Sequence, residues 1–562
     1  MHDLIIRDVL IVDGTGAGAR RGDVAVDGRL ISEAGDVGGG ARREINGGGR
    51  VLAPGWVDVH THYDGQVVWD SELAPSSWHG ATTVVMGNCG VGFAPVRPGS
   101  ESFLIELMEG VEDIPGTALH EGMTWDWETF PEYLRALEAM PRKLDVVAQV
   151  PHAAVRAYVM GDRAHGDATE ADVEAMARLV GEALEAGAAG FTTSRTILHR
   201  SVHGLVPGTD AGAHELLTIA AAMGRAGHGV FQLISDRFGQ DDERAMMGQL
   251  AELTGGPVTF SLAQNDQHPL SYRDDLAAAA EHNRQGRRVV PQVADRPVGM
   301  LFGLESSLHP FIGHPTYRDL ARLPLPERVA RLRRPDVRAA LLADRSTAPP
   351  VVQLISTRWP QIFRLGEQPD YEPSPLESVA ATARQEGRTE QEVALDWLLE
   401  DEGKALLFAP LANYASGNLD PLHEIMTHPD TVLGLGDGGA HCGLICDASM
   451  PTFLLTHWVR DRRREPKLTL EQAVHLQTAR TAALYDLTDR GTITPGKRAD
   501  LNLIDLDALR LHRPEMVHDL PAQGRRLVQG VDGYEMTMVA GVVTRLDGEL
   551  TDALPGTLVR SG

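Results

Sequence analysis

The stretch PGWVDVHTHYD, Pro54 to Asp64, decides how this sequence is read. An apolar run leads into two histidines one residue apart. On a β-strand, residues i and i+2 project to the same face, so His60 and His62 point the same way from one strand end. Two imidazoles leaving one strand end form half of a metal site. A bare His-x-His is more often a pair of satisfied polar residues, so the surrounding sequence has to decide.

Outward from that stretch, short β-branched runs alternate with helical segments. The candidate strands are GWVDVHTH, TTVVMGNCG, KLDVVAQVP, AGFTTSR, GVFQLIS, PVTFSLAQN, RRVVPQV and VLGLGDGG. Between several of them lie amphipathic segments such as TEADVEAMARLVGEALEAG and DLAAAAEHNRQG. Alternation at this count predicts an α/β fold, a (β/α)8 TIM-like barrel over residues 54–485. Residues 305–403, rich in Arg, Pro and charge and without a clear strand, read as a helical insertion. Both ends of the chain are β-rich and punctuated by glycine. KRADLNLIDLDAL alternates as a strand, and YEMTMVAGVVTRLDGEL reads as a hairpin turning at Ala540-Gly541. Residues 1–53 and 486–562 are therefore expected to build one small β-sandwich together.

Reactive groups of such barrels gather where the strands end at the carboxyl face. The polar clusters fall there: His60 and His62 after VDV, Cys89 after TTVVMGN, Asp437 after VLGLG. His60 and His62 offer two neutral nitrogen donors suited to Zn²⁺. Asp437, in GLGDGGAH, sits among glycines that allow close approach of backbone and substrate. A carboxylate there could bind metal or carry a proton; by itself, it reads as a turn aspartate. Cys89 is a candidate thiolate ligand or a small buried hydrophobe. His441, four residues after Asp437, could orient it or touch substrate, while Cys442 and Cys446 read as packing residues.

The chain has 562 residues with 43% hydrophobic and 23% charged composition, ordinary values for a globular protein. With 52 Lys and Arg against 78 Asp and Glu, the formal charge is −26, which argues against nucleic acid or an anionic membrane as partner. A homo-oligomer is compatible with this composition. Three cysteines form no disulfide framework, and the opening MHDLIIRDVLIVDG is broken by Asp3, Arg7 and Asp8, unlike a secretory signal. A cytoplasmic location is the expectation.

Four segments in order, PGWVDVHTHYD, HGATTVVMGNCGVGFAP, GLGDGGAH and GTITPGKRADLNLIDLD, resemble the amidohydrolase superfamily. Within it, GNCG points to the D-aminoacylase group, the N-acyl-D-amino-acid deacylases. The resemblance spans nearly the whole chain and is weakest over 305–403. It implies a metal-bearing barrel with a small β-domain, His60, His62 and Cys89 as metal ligands, and Asp437 as catalytic aspartate. The implied reaction is hydrolysis of a small amide by attack of metal-activated water. One departure from the family pattern stands out: further histidines are expected at the ends of two middle strands. Here the corresponding stretches offer Gln264 in PVTFSLAQND and Gln292 in RRVVPQVADRP. One divalent ion, zinc by resemblance, is therefore expected rather than two, held mainly by His60, His62 and Asp437 rather than by Cys89, with Gln264 and Gln292 as weak ligands or substrate contacts.

The carboxylate of an N-acyl amino acid suits a forked guanidinium. Arg195 in GFTTSRT and Arg296 in VADRP, just past two strands, are the candidates, and Asn88 is a candidate partner for a substrate carbonyl. Two other readings share these residues: a hydrolase of cyclic amides or lactones, and a barrel scaffold without catalysis.

Overall fold

The structure, a computed structural model, describes residues 1–237 and 239–562. Eight strands form its centre: β1 (Trp56–Asp58), β2 (Ala81–Met86), β3 (Asp145–Ala148, continued by Val150–Pro151), β4 (Gly190–Arg195), β5 (Val230–Ser235), β6 (Val258–Ser261), β7 (Val289–Val293) and β8 (Val432–Leu433). Each falls on one of the segments the sequence marks as strands, β2 beginning one residue earlier, at Ala81. Neighbours pair in parallel from β1 through β8 in chain order. Beyond β8 the chain returns to β1: Asp437 N–H donates to the His60 carbonyl at 3.0 Å, and His62 N–H donates to the Gly438 carbonyl at 2.7 Å. A parallel bridge between Thr61 and Gly438 completes this seam, and the ring of strands is a (β/α)8 barrel.

The strands are buried along nearly their whole length, with only Ile234, Ser261 and Val290 partly exposed, as parallel strands covered by helices should be. Val57, Val59, Val85, Val147, Val230 and Val432 share one apolar cluster. Alternation along β1 then turns Asp58, His60 and His62 to the opposite face. Helices on the rim are held by local chemistry. Thr169 and Asp172 make a reciprocal capping box at the start of Glu170–Glu185, and Thr129 with Glu132 does the same for Phe130–Ala139. The helix Phe130–Ala139 docks through Tyr133, whose hydroxyl donates to the Asp64 carbonyl at 3.0 Å. None of the described helices is long and apolar enough to cross a membrane.

Both ends of the chain enter one nine-stranded sheet. Its two halves join where Val51–Pro54 pairs antiparallel with Leu501–Ile504, just before β1 begins. The hairpin Tyr534–Val539/Val542–Leu546 turns at Ala540-Gly541, both with positive φ, the two-residue turn that matches strand twist.

The insertion differs from its sequence reading in one respect. It holds helices from Pro315 to Leu398, but Phe363–Leu365 is a strand, pairing with Leu406–Ala412, which pairs in turn with Val298–Phe302. Three residues are too few to show a period-2 pattern, and the two flanking strands are nearly continuous apolar runs. The helices and this small sheet share a core of their own, including Phe302, Ile362, Val379, Leu395 and Leu407.

A buried charge cluster ties barrel to terminal sheet. Asp145, fully buried at the start of β3, accepts from Arg490 Nη1 at 2.7 Å and lies 2.7 Å from Arg498 Nη2, while its other oxygen accepts from Thr557 N–H at 2.8 Å. Removing one partner from a buried ion cluster leaves uncompensated charge in a poor dielectric. Asp145→Ala is expected to cost about 3 kcal/mol, the low end of that effect because Asp500 still faces Arg498. Urea unfolding of the two proteins measures it, and an unchanged midpoint would show that the cluster carries no stability.

Candidate active site

The barrel seam fixes the first part of the site. Its two backbone hydrogen bonds hold His60 and His62 beside Asp437, so Asp437 Oδ1 lies 3.5 Å from His60 Nε2 and 3.6 Å from His62 Nε2. The chain around Asp437 bends in ways that need glycine. A Cβ at Gly436 would stand 2.4 Å from Asp58 Oδ2, and one at Gly438 would stand 2.5 Å from Ser76 Oγ. Asp437 itself has a positive φ of 46°.

The turn after β2 supplies the third donor. Gly87, Cys89 and Gly90 all have positive φ, and a Cβ at Gly87 would meet the Gln149 carbonyl at 2.4 Å. The motif GNCG is thus a backbone requirement as much as a chemical one. Asn88, the carbonyl contact suggested by sequence, instead braces the turn. Its amide donates to the carbonyls of Thr61 and Val85 at 3.1 and 3.0 Å. Cys89 Sγ comes to rest 3.3 Å from His60 Nε2.

His60, His62 and Cys89 offer donor atoms that all lie within 4.8 Å of one another. Zinc bonds of ~2.0 Å to nitrogen and ~2.3 Å to sulfur in a tetrahedron separate ligand atoms by roughly 3.3–3.6 Å. The His60–Cys89 contact and those of Asp437 with the two histidines fall in that range, and the remaining separations stay within 4.8 Å, so the residues fit a divalent ion. The His60 tautomer agrees. His60 Nδ1 is 2.7 Å from Gln292 Oε1, an acceptor, so the proton sits on Nδ1 and the Nε2 lone pair faces Cys89 and Asp437. Burial pulls His60 down to about 4, against the attraction of Asp437. For His62, burial is outweighed by Glu112, Asp437 and Cys89, which hold its pKa well above the usual histidine value. Asp437 falls below the usual carboxylate range because His62, His60 and His441 override its burial. Burial pushes the Cys89 thiol up to about 11, so its thiolate form calls for a cation. The whole cluster demands positive charge.

The sequence profile of the amidohydrolase family matches residues 43–545. The chain belongs to that family. Among its relatives is N-acyl-D-aspartate deacylase of Alcaligenes xylosoxydans xylosoxydans, 29% identical over 507 residues, which cover 90% of this chain and 86% of that protein. The structure of a D-aminoacylase aligns over 100% of both chains with a TM-score of 0.66 and 22% identity. N-acyl-D-glutamate deacylase from Bordetella bronchiseptica, solved with zinc and a phosphonate inhibitor, aligns over 100% of both chains with a TM-score of 0.65 and 25% identity.

Other residues singled out in the sequence of this amidohydrolase lie elsewhere or have different tasks. Gln264 is buried away from the donor set in a loop clasp, accepting from Ala415 N–H and donating to Ser416 Oγ and the Pro269 carbonyl. Gln292 reaches the site, but as the residue that orients His60. Arg195 is engaged by Glu243, at 2.8 Å from Nε and 3.1 Å from Nη2, and by the Ala211 carbonyl. Arg296 is engaged by Asp447 at 2.6 Å and by Ser449, with its guanidinium 4.1 Å over the Tyr371 ring. Neither fork is open to a substrate carboxylate. His441 does not bond Asp437; its Nε2 lies 3.4 Å from Glu112 Oε2. Cys442 and Cys446 are buried, their thiols pushed up to about 12 by burial.

Gln232 and Glu112 are among the site residues that the sequence did not reveal. Gln232, on β5, accepts from Cys89 N–H at 3.0 Å. Glu112 closes the helix Glu101–Glu112 beside His62. Gln232 carried a signal, being the polar residue inside an apolar strand; Glu112, on an ordinary amphipathic helix, carried none.

Replacing Gln292 by Leu removes the acceptor that fixes the His60 tautomer. Zn²⁺ affinity, measured by chelator competition, is expected to drop roughly 10–100-fold with the fold retained. An unchanged affinity would mean that His60 is oriented without it.

Proposed function

We propose that the chain hydrolyses the amide bond of an N-acyl-D-amino acid or a similar small linear amide. The observation that carries this reading is the meeting of His60, His62 and Cys89 with Asp437 at the carboxyl end of the barrel strands. It is supported by the deacylase that matches nine-tenths of this chain and by the zinc-bearing deacylase of like fold. His60, His62 and Cys89 would hold a divalent ion, with Asp437 on the histidine side of the set. When bound, such an ion polarises the acyl carbonyl and makes water acidic near neutrality.

The chain's own part is positional and protolytic. Asp437 is partly open, with 14% of its side chain exposed, whereas His60 and His62 are shut in. Held ionised, its carboxylate takes the proton of the attacking water and returns it to the departing nitrogen. The walls behind the donors are occupied: Gln292 serves His60 and Gln232 serves the Cys89 backbone. These uncharged amides, standing at middle strands, favour one tightly held ion over two, and zinc suits the His/Cys donors. Using Arg195 or Arg296 to grip substrate would break a buried ion pair at a cost of about 3–5 kcal/mol, so we assign both to the scaffold.

Amine release from a panel of N-acetyl-D-amino acids, with metal analysis of the same preparation, tests the proposal. Turnover on a linear amide with one ion per chain is expected. Asp437→Asn should keep the fold and lower kcat by roughly 10²–10⁴, the usual worth of a positioned acid–base group. Absence of metal-dependent turnover on linear and cyclic amides alike would instead favour a binding scaffold, and two firmly held ions would refute the single-ion reading.

A further inference from the structure

Glu112 is placed where a carboxylate is hard to keep. It is 1% exposed, and neither carboxylate oxygen makes a hydrogen bond among the described residues. It also ends the helix Glu101–Glu112, where the helix dipole already presents negative charge. Burial of an anion at a negative helix end is opposed twice, by desolvation and by the dipole. What faces it are two imidazoles: Oε1 lies 3.4 Å from His62 Nδ1, and Oε2 lies 3.4 Å from His441 Nε2. His62 Nδ1 likewise has no hydrogen-bond partner of its own.

From this geometry we infer that Glu112 is a positioning residue for the metal centre: it fixes His62 through Nδ1 so that Nε2 presents its lone pair to the ion. The inference rests on the metal-site reading above. His62 then mirrors His60. One histidine is oriented by an amide oxygen and the other by a carboxylate, each through the nitrogen turned away from Cys89 and Asp437. The carboxylate also raises the basicity of the ring it holds, which the neutral Gln292 does less.

Surrounding contacts keep Glu112 from pivoting. His441 engages its second oxygen, and the His441 N–H donates to the Glu112 carbonyl. Asp113, next in the chain with φ 51°, accepts from Gly443 N–H at 3.0 Å and from Ser307 Oγ at 2.9 Å. The helix end is thereby tied to the loop that carries Asp437, so the group that aims His62 moves with the other side of the seam.

The test compares Zn²⁺ binding by the full-length wild type, Glu112→Leu and Glu112→Gln, using a chromophoric chelator and no substrate, alongside thermal unfolding of the metal-free proteins. Zn²⁺ affinity is expected to fall roughly 10–100-fold in Glu112→Leu and by less in Glu112→Gln, which keeps one acceptor oxygen. The metal-free Glu112→Gln protein should unfold somewhat below the wild-type temperature, since His62 and His441 lose the carboxylate that faces them, so Zn²⁺ affinity is the readout that separates the two roles. A purely structural role would lower the unfolding temperature and leave Zn²⁺ affinity unchanged, and would overturn the inference. Should Glu112→Leu fail to fold, equal competition curves for wild type and Glu112→Gln would overturn it equally. Because binding is read without turnover, a wild type that binds Zn²⁺ but hydrolyses none of the amides would sink the proposed function and leave this inference standing.

Discussion

Two backbone hydrogen bonds join the first barrel strand to the last, His62 N–H to the Gly438 carbonyl and Asp437 N–H to the His60 carbonyl. Most of the site's geometry follows from them. They close the ring of strands, and they set residues that lie some 375 positions apart in register, so two imidazoles and a carboxylate leave the same rim side by side. Because side chains alternate along extended chain, a slip of one residue at this seam would turn His60 and His62 into the apolar layer that holds Val57 and Val59. Closure of the fold and assembly of the site are one event.

Left-handed backbone supplies the second constraint. Cys89, Asp437 and His441 all have positive φ, which costs a non-glycine residue of order 1 kcal/mol or more. Each is flanked by, or close to, glycines whose Cβ positions are already taken by neighbouring atoms. Part of the chain's left-handed backbone thus falls on residues that face the donor cluster, and the buried contacts around GNCG and GLGDGG hold it in place. The turns are shaped to aim side chains, and stability for them comes from the barrel wall behind.

That wall is unusually polar for a protein interior. Gln292, Gln232, Asn88 and Gln149 form an uncharged layer under the charged one, and each makes at least one hydrogen bond to a residue of the donor cluster or to the chain that carries it. Amides suit that task because they satisfy neighbours without adding further buried charge beside the donor cluster. Carboxyl groups join this layer too: Asp58 and Asp64 accept from the His60 and Gly87 N–H groups, and the position of Glu112 opposite two imidazoles explains why a charge is tolerated there.

The fold was largely legible in the chain, since all eight barrel strands fall on segments marked by β-branched runs and the terminal β-domain by its glycine-punctuated alternation. Such patterns are local: a period of two residues, or a glycine at a turn, is written within a few neighbouring positions. His60, His62, Cys89 and Asp437 were visible for the same reason, each being a polar residue directly after an apolar run. Partnership was not legible. Nothing near Arg195 or Arg296 announces Glu243 or Asp447, nothing near Gln292 announces His60, and Glu112 differs in no local way from the other acids of its helix. Those pairings are set by which faces meet when the strands close and the helices dock, so the sequence by itself determined the elements and the kinds of donor, and only the tertiary structure decided which donors serve one another.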